Sequence, residues 1–177
     1  MPFAIRTNSL IASALLAGWV MSAMAADPGG GGCDTCRVLS EKVLSLDLAE
    51  AIALGAVAKC RADGNHVSVT VVDRDGLAKF ALRDDAASPH TITTSLRKAF
   101  TSVTFRQPSG QWAHRVLTDP AIAGLKDTAG TIALGGGLPI KAGNEVIGAV
   151  GVSGSPGADK DEACASAGIA AVADKLK

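Results

Sequence analysis

Residues 66–83 have the sequence HVSVTVVDRDGLAKFALR, and this stretch decides the fold class. Valine at every second position from 67 to 71 alternates with Ser and Thr, which is the pattern of a strand with one buried face. Asp75-Gly76 then marks a tight hairpin turn. Two strands joined by so short a turn are antiparallel. The sequence therefore predicts antiparallel strands over residues 66–73 and 77–83.

Capping residues and apolar spacing predict three long helices, and alternation predicts three further short strands. The predicted helices cover 46–62, 88–105 and 159–177, and the predicted strands cover 131–134, 138–141 and 145–153. Asp47 with Glu50, Ser88 with Pro89, and Asp159 with Glu162 are the predicted helix starts. The irregular stretch 106–129 is predicted to hold only a short helix near 120–125. The order α-β-β-α-β-β-β-α predicts a single α+β domain with a five-stranded antiparallel sheet flanked by helices.

The first 25 residues have the pattern of a secretory signal peptide. Arg6 supplies the positive charge, residues 10–20 the apolar region, and Ala23-Met24-Ala25 a cleavage site. The predicted organisation is a leader over 1–25, a flexible linker over 26–42 and one domain over 43–177. We therefore expect a periplasmic or secreted protein, cleaved near Ala25, with no membrane association after cleavage.

Composition excludes several functions. The chain has 177 residues, with 17 Lys+Arg against 17 Asp+Glu, 3% aromatic residues and no Tyr. This balance argues against nucleic-acid binding and against a polybasic membrane-surface protein. All three Met lie in the predicted leader, so a metal or cofactor would have to be held mainly by His or Cys.

Of the three histidines (His66, His90 and His114), His90 lies in the most informative context. Helical spacing places it with Thr94, Arg97 and Thr101 on one face of the second helix. The opposite face carries a predicted buried stripe, Ile92, Leu96, Ala99 and Val103. The polar face is consistent with a ligand wall, a solvated surface or a subunit contact.

The stretch 148–157, GAVGVSGSPG, joins a strand to the last helix. It lacks the βαβ context of a dinucleotide site and the Lys-Ser/Thr of a Walker loop. Its glycines indicate close helix–sheet packing or, alternatively, an anion site at Ser153, Gly154 and Ser155.

Four cysteines leave their pairing open. Cys33 and Cys36 have the spacing of a redox pair, half a metal site or a local disulfide. Cys60 and Cys164 would meet if the first and last helices pack antiparallel. No hydrolase elbow, HExxH or close acid pair is present, and Asp84-Asp85 has the character of a turn. The sequence specifies no reaction.

Five segments resemble the GlcG/HbpS-like haem-binding proteins and the C-terminal domain of PduO-type proteins. They are 84–89, 98–102, 135–140, 148–154 and 161–168. The resemblance covers about 44–177. It implies a profilin-like fold with a five-stranded sheet, assembly into dimers or larger rings, and haem binding in some members.

The leading hypothesis is an exported, non-enzymatic haem-binding protein that assembles with copies of itself. His90 is the predicted iron ligand, Thr94 and Thr101 line the site, and Arg97 or Lys98 pairs with a haem propionate. One alternative is a binder or enzyme of a small anionic metabolite that uses the Gly-rich loop. The other is a redox or assembly module acting through Cys33 and Cys36.

Overall fold

The predicted hairpin forms in the structure, a computed structural model that describes Met1 and residues 36–177. Strand β1 (Ser68–Asp73) pairs antiparallel with β2 (Ala78–Arg83). Gly76 has φ +81° at the turn, where a residue without Cβ is favoured. The Asp73 carboxylate accepts hydrogen bonds from two turn N–H groups. The local signals of this stretch were therefore sufficient to predict it.

The sheet of the described residues has four strands in the order β2-β1-β4-β3, and every neighbouring pair is antiparallel. The remaining strands are β3 (Gly137–Ala142) and β4 (Glu145–Ser153). The α+β class with an antiparallel sheet is confirmed. The fifth strand, predicted over 131–134, is wrong.

Residues 131–134 are bound to a helix instead of to the sheet. The Ile132 N–H donates to Thr101 Oγ1 at 2.9 Å, and the Arg97 guanidinium donates to the Thr131 carbonyl at 2.5 Å. A segment whose backbone groups are satisfied in this way has no need of a strand partner.

The described residues include four α-helices and two 3₁₀ segments. They are α1 (Leu46–Ala62), α2 (Thr91–Phe105), α3 (Ser109–Thr118), α4 (Ala158–Ala170), and the 3₁₀ segments Ala123–Asp127 and Ala173–Lys175. Helix α1 has the predicted bounds, but Ser45 caps it, accepting from Leu48 N, and the Asp47/Glu50 capping box is wrong. Helix α4 ends before the predicted 177 because the chain turns to bury Val172 and Leu176. None of the helices in this described part has the length and hydrophobicity needed to span a membrane.

Contacts divide the chain into residues 1–39 and 40–177, and all described helices and strands belong to the second unit. Nothing described tests the predicted leader, whose residues 2–25 lie outside the described part. The linker and domain boundaries also stay predictions.

Helices α1 and α4 cover one face of the sheet. The centre of the contact between the sheet and these two helices is apolar. Val69, Val71, Val150 and Val152 are fully buried there against these helices. A disulfide joins Cys60 of α1 to Cys164 of α4.

Helix α2 covers the other face with small polar residues and with only part of its predicted apolar stripe. Leu96 is 36% exposed, whereas Thr91 and Ser95 are buried. Their hydroxyls meet those of Ser68 and Thr70 on β1, at 2.7 and 2.8 Å respectively. The predicted stripe is therefore wrong at Leu96, and Ile92 is only half-buried. Its other two members, Ala99 and Val103, are buried in one cluster with Val72 and Ala149 of the sheet.

Gly151 on β4 allows α2 to approach the sheet this closely. A Cβ at position 151 would lie 2.1 Å from the Ser95 carbonyl oxygen and 2.6 Å from Ala99 N. Both neighbours are backbone atoms, so neither can move away without shifting the helix.

We expect Gly151→Ala to lower the free energy of unfolding by about 3 kcal/mol, the upper end of overpacking costs. Urea denaturation followed by circular dichroism measures this. Gly124→Ala, with no atom within 4 Å of the added Cβ, is the control, and equal losses in both variants would contradict the packing explanation.

Candidate functional site

A cavity of about 300 Å³ lies where α2 begins, next to the loop between β4 and α4. Its lining residues are Ser88, His90, Thr91, Thr94, Lys98, Leu134, Gly135, Ser153, Gly154, Ser155, Gly157, Ala158 and Asp161. The sequence predicts one candidate site that includes His90, Thr94 and Lys98, and another at Ser153, Gly154 and Ser155. The structure brings both groups to one cavity.

Antiparallel pairing of β1 with β4 causes this convergence. Ser68, at the start of β1, is the register partner of Ser153, at the end of β4. Ser68 also contacts Thr91 in the first turn of α2. The start of α2 therefore lies at the same end of the sheet as the start of β1 and the end of β4, which are its two central strands.

His90 is the residue before the first helical turn of α2, and its imidazole is exposed. The predicted start at Ser88-Pro89 is wrong because residues 88–91 form a turn before the helix. The N–H and the Oγ1 of Thr91 both donate to the Ser88 carbonyl, at 3.1 and 2.6 Å. The His90 carbonyl accepts from Thr94, while its side chain makes no capping bond. Among the described residues the imidazole nitrogens have no hydrogen-bond partner, so they are available to a ligand.

Lys98 and Asp161 form a buried ion pair that lines the cavity. Lys98 Nζ donates to Asp161 Oδ2 at 2.7 Å and to the Val152 carbonyl at 3.0 Å. The two side chains are 5% and 4% exposed. The ammonium that was predicted to pair with a propionate is thus already paired within the chain.

Asp161 also holds the Gly-rich loop. Its second oxygen, Oδ1, accepts from the Ser155 N–H at 3.0 Å. A loop donor that an incoming anion would use is therefore bound to a carboxylate of the chain itself. Sequence reasoning missed this role because Asp161 stands in the first turn of α4, where acidic residues ordinarily serve the helix dipole.

Glu162 connects three elements rather than capping α4, and Gly157 is the N-cap residue. Glu162 Oε1 accepts from Gly110 N at 3.2 Å and from Gly136 N at 3.3 Å. The capping pair of Asp159 with Glu162 is therefore wrong. Glu162 instead fixes the Gly-rich turn adjoining Gly135, which lines the cavity.

Arg97 and Thr101 do not line the cavity. Arg97 binds the Thr131 carbonyl, and Thr101 is buried, donating to the Arg97 carbonyl at 2.8 Å. The predicted polar face of α2 therefore divides, with His90 and Thr94 at the cavity and the other two beside residues 131–134.

The other two histidines lie elsewhere. His66 Nδ1 lies 3.0 Å from Asp84 Oδ2, and Arg61 forms two hydrogen bonds to the same carboxylate. The hydrogen bonds from Arg61 hold the pKa of the buried Asp84 well below its usual range. His114 is exposed on α3.

The Cys60–Cys164 disulfide lies beside the cavity loop, since Cys60 Sγ is 3.5 Å from Ser155 Oγ. Cys36 is disulfide-bonded, and Cys33 lies outside the described residues. The described part of the chain contains no group of three or more His, Cys, Asp or Glu side chains arranged to hold a metal ion.

The fold and cavity define a class of α+β domain in which a pocket lined by helix residues lies at the end of the central strands of an antiparallel sheet. The family model for haem degrading protein HbpS-like matches residues 44–170, so the chain belongs to the HbpS-like family. The resemblance predicted from the sequence is thereby confirmed.

Individual relatives agree with this assignment. A 15.0 kDa Citrobacter freundii protein from the dhaT-dhaS intergenic region is 33% identical over 119 residues, covering 65% of this chain and 84% of that protein. The crystal structure of HbpS has 40% identity and TM-score 0.72, covering 76% and 93% of the two chains. That of PduOC in complex with heme shares the fold, with 24% identity and TM-score 0.68, covering 73% and 95%. The description of the matched family refers to haem, so haem-related binding is supported at the level of the family.

Proposed function

We propose that this chain binds haem at the cavity beside α2, where the His90 imidazole would hold the iron. The observation that carries the proposal is the exposed imidazole at the cavity, without a hydrogen-bond partner among the described residues. Imidazole is a common protein ligand of haem iron. When bound, the haem would supply its iron redox chemistry.

The cavity is large enough to hold part of a haem group. Its volume lies at the lower end of the range of ligand pockets, about 300–1,000 Å³. It would therefore enclose part of a porphyrin, with Leu134 and Ala158 as apolar contacts. Because Lys98 is paired with Asp161 and Arg97 does not line the cavity, we propose that the hydroxyl of Ser88, which makes no hydrogen bond among the described residues, donates to a propionate oxygen.

The geometry favours haem over a small anion at the Gly-rich loop. Asp161 accepts the Ser155 N–H, so this loop donor is already occupied and is not free to bind a small anion. The alternative that involves Cys33 and Cys36 stays a separate hypothesis, because the described contacts do not include Cys33.

His90→Ala is expected to weaken haemin binding at least tenfold and to shift the Soret maximum of the complex. Without the imidazole, only contacts to the porphyrin would hold the haem, and the absorbance of the complex would change with the loss of the nitrogen ligand. Titration of the chain with haemin, followed by absorbance, measures both quantities.

His114→Ala is the matched control, since this exposed histidine lies on α3 outside the cavity. It should bind haemin as the wild type does. No Soret change on titrating the wild-type protein would overturn haem binding. Equal spectra for wild type and His90→Ala would overturn only the ligand assignment.

We further propose storage or sensing of haem without catalysis, in an exported protein that assembles with copies of itself. Incubating the haemin complex with ascorbate in air distinguishes binding from degradation. A stable Soret band supports the proposal, and its progressive loss contradicts it.

Mass determination of the protein recovered from its source tests cleavage near Ala25, and sedimentation tests assembly.

A further inference from the structure

A second cleft, of about 480 Å³, lies at the other end of α2, where Arg106 is about 24 Å from His90 along the helix. Three cations line it, namely Lys42, Arg74 and Arg106. The rest of its wall comes from the turn between β3 and β4 and the strand residues beside it, namely Ala142, Gly143, Asn144, Glu145 and Val146. The cleft shares no lining residue with the His90 cavity.

The charges in this cleft are not balanced. Arg74 is paired with Glu145 at 3.0 Å and with Glu41 at 3.2 Å. In contrast, no described carboxylate lies within 4.0 Å of Lys42 or Arg106. The Asn144 side chain likewise makes no hydrogen bond within the described part of the chain. Two cations and one amide are therefore left with free donors around one cleft.

Arg106 occupies this position against its backbone preference. It follows the last turn of α2 with φ 53° and ψ 33°, the only described residue other than glycine with a positive φ. Glycine is the usual residue at such a left-handed helix end. Helix termination alone would thus favour glycine, and it does not account for the guanidinium.

We propose that this cleft binds a small, multiply charged oxyanion of the phosphate or polycarboxylate type. Guanidinium groups bind such anions through paired N–H donors, and lysine adds a point charge. The three cations of the cleft and the two carboxylates on Arg74 leave a net charge of +1. This exceeds the roughly half negative charge that the α2 carbonyl end carries.

Calorimetric titration of the full chain with inorganic phosphate, and separately with citrate, tests this at constant ionic strength and without haemin. We expect saturable binding of at least one of them. Arg106→Gln should weaken it at least tenfold, while Arg115→Gln, an exposed arginine on α3, should leave it within twofold.

Arg106→Gly separates binding from folding, because glycine suits the left-handed conformation. This variant should keep or raise the melting temperature and still lose anion binding. Absence of saturable binding for both anions, or equal binding by Arg106→Gln and Arg115→Gln, would overturn the proposal. Because the titration contains no haemin, its failure would leave the haem proposal untouched.

Discussion

Asp161→Asn is expected to lower the free energy of unfolding by about 3–5 kcal/mol. The substitution leaves the Lys98 ammonium buried without an opposite charge among the described residues, although the Val152 carbonyl still accepts a hydrogen bond from it. The amide that replaces the carboxylate cannot balance the charge, and the desolvation cost of the cation is then uncompensated. Chemical denaturation at neutral pH, with the slope of the transition checked for constancy, measures this loss.

Removing both charges distinguishes a buried pair from a general packing defect. We expect the double variant Lys98→Met/Asp161→Asn to recover much of the stability, because no unpaired charge remains. Asp127→Asn, which breaks the exposed pair with Lys126, should cost at most about 1 kcal/mol. A double variant less stable than Asp161→Asn would contradict the explanation.

The same ion pair shows why the cavity could be predicted only in pieces. His90 and Ser153–Ser155 carried local signals, a polar helix face and a glycine-rich turn. Their meeting depends on the register of Ser68 with Ser153, a non-local pairing that alternation in one strand does not specify. The pairing of Lys98 with Asp161, 63 residues apart, has no local signal.

Elements with strong local signals were predicted well. Helix α1 has a long run of helix-favouring residues, and the hairpin has its Asp-Gly turn. Helix α2 misled the prediction of burial because hydropathy ranks Ser95 and Thr91 below Leu96 for the interior. In the fold, their hydroxyls are satisfied by Thr70 and Ser68, so the burial penalty is removed.

Loss of the Cys60–Cys164 disulfide is expected to lower stability by about 4–5 kcal/mol. The cysteines are separated by 104 residues, and the chain-entropy model assigns about 4.7 kcal/mol to a loop of about 100 residues. The Cys60→Ala/Cys164→Ala variant, denatured in urea, should show this loss. It should also unfold with a steeper slope, since its unfolded chain exposes more surface.

A background of Cys33→Ala/Cys36→Ala isolates this disulfide from the other two cysteines. In that background, urea denaturation with and without reductant compares cross-linked and open chains that contain the same atoms. The reduced protein should match the double alanine variant to within the small packing cost of the two sulfur atoms. Equal midpoints for the oxidised and reduced protein would show that the cross-link contributes nothing, and would contradict the entropic explanation. Because Cys60 Sγ contacts Ser155 Oγ, haemin titration of the reduced protein also shows whether the cross-link keeps the cavity loop in place for its ligand.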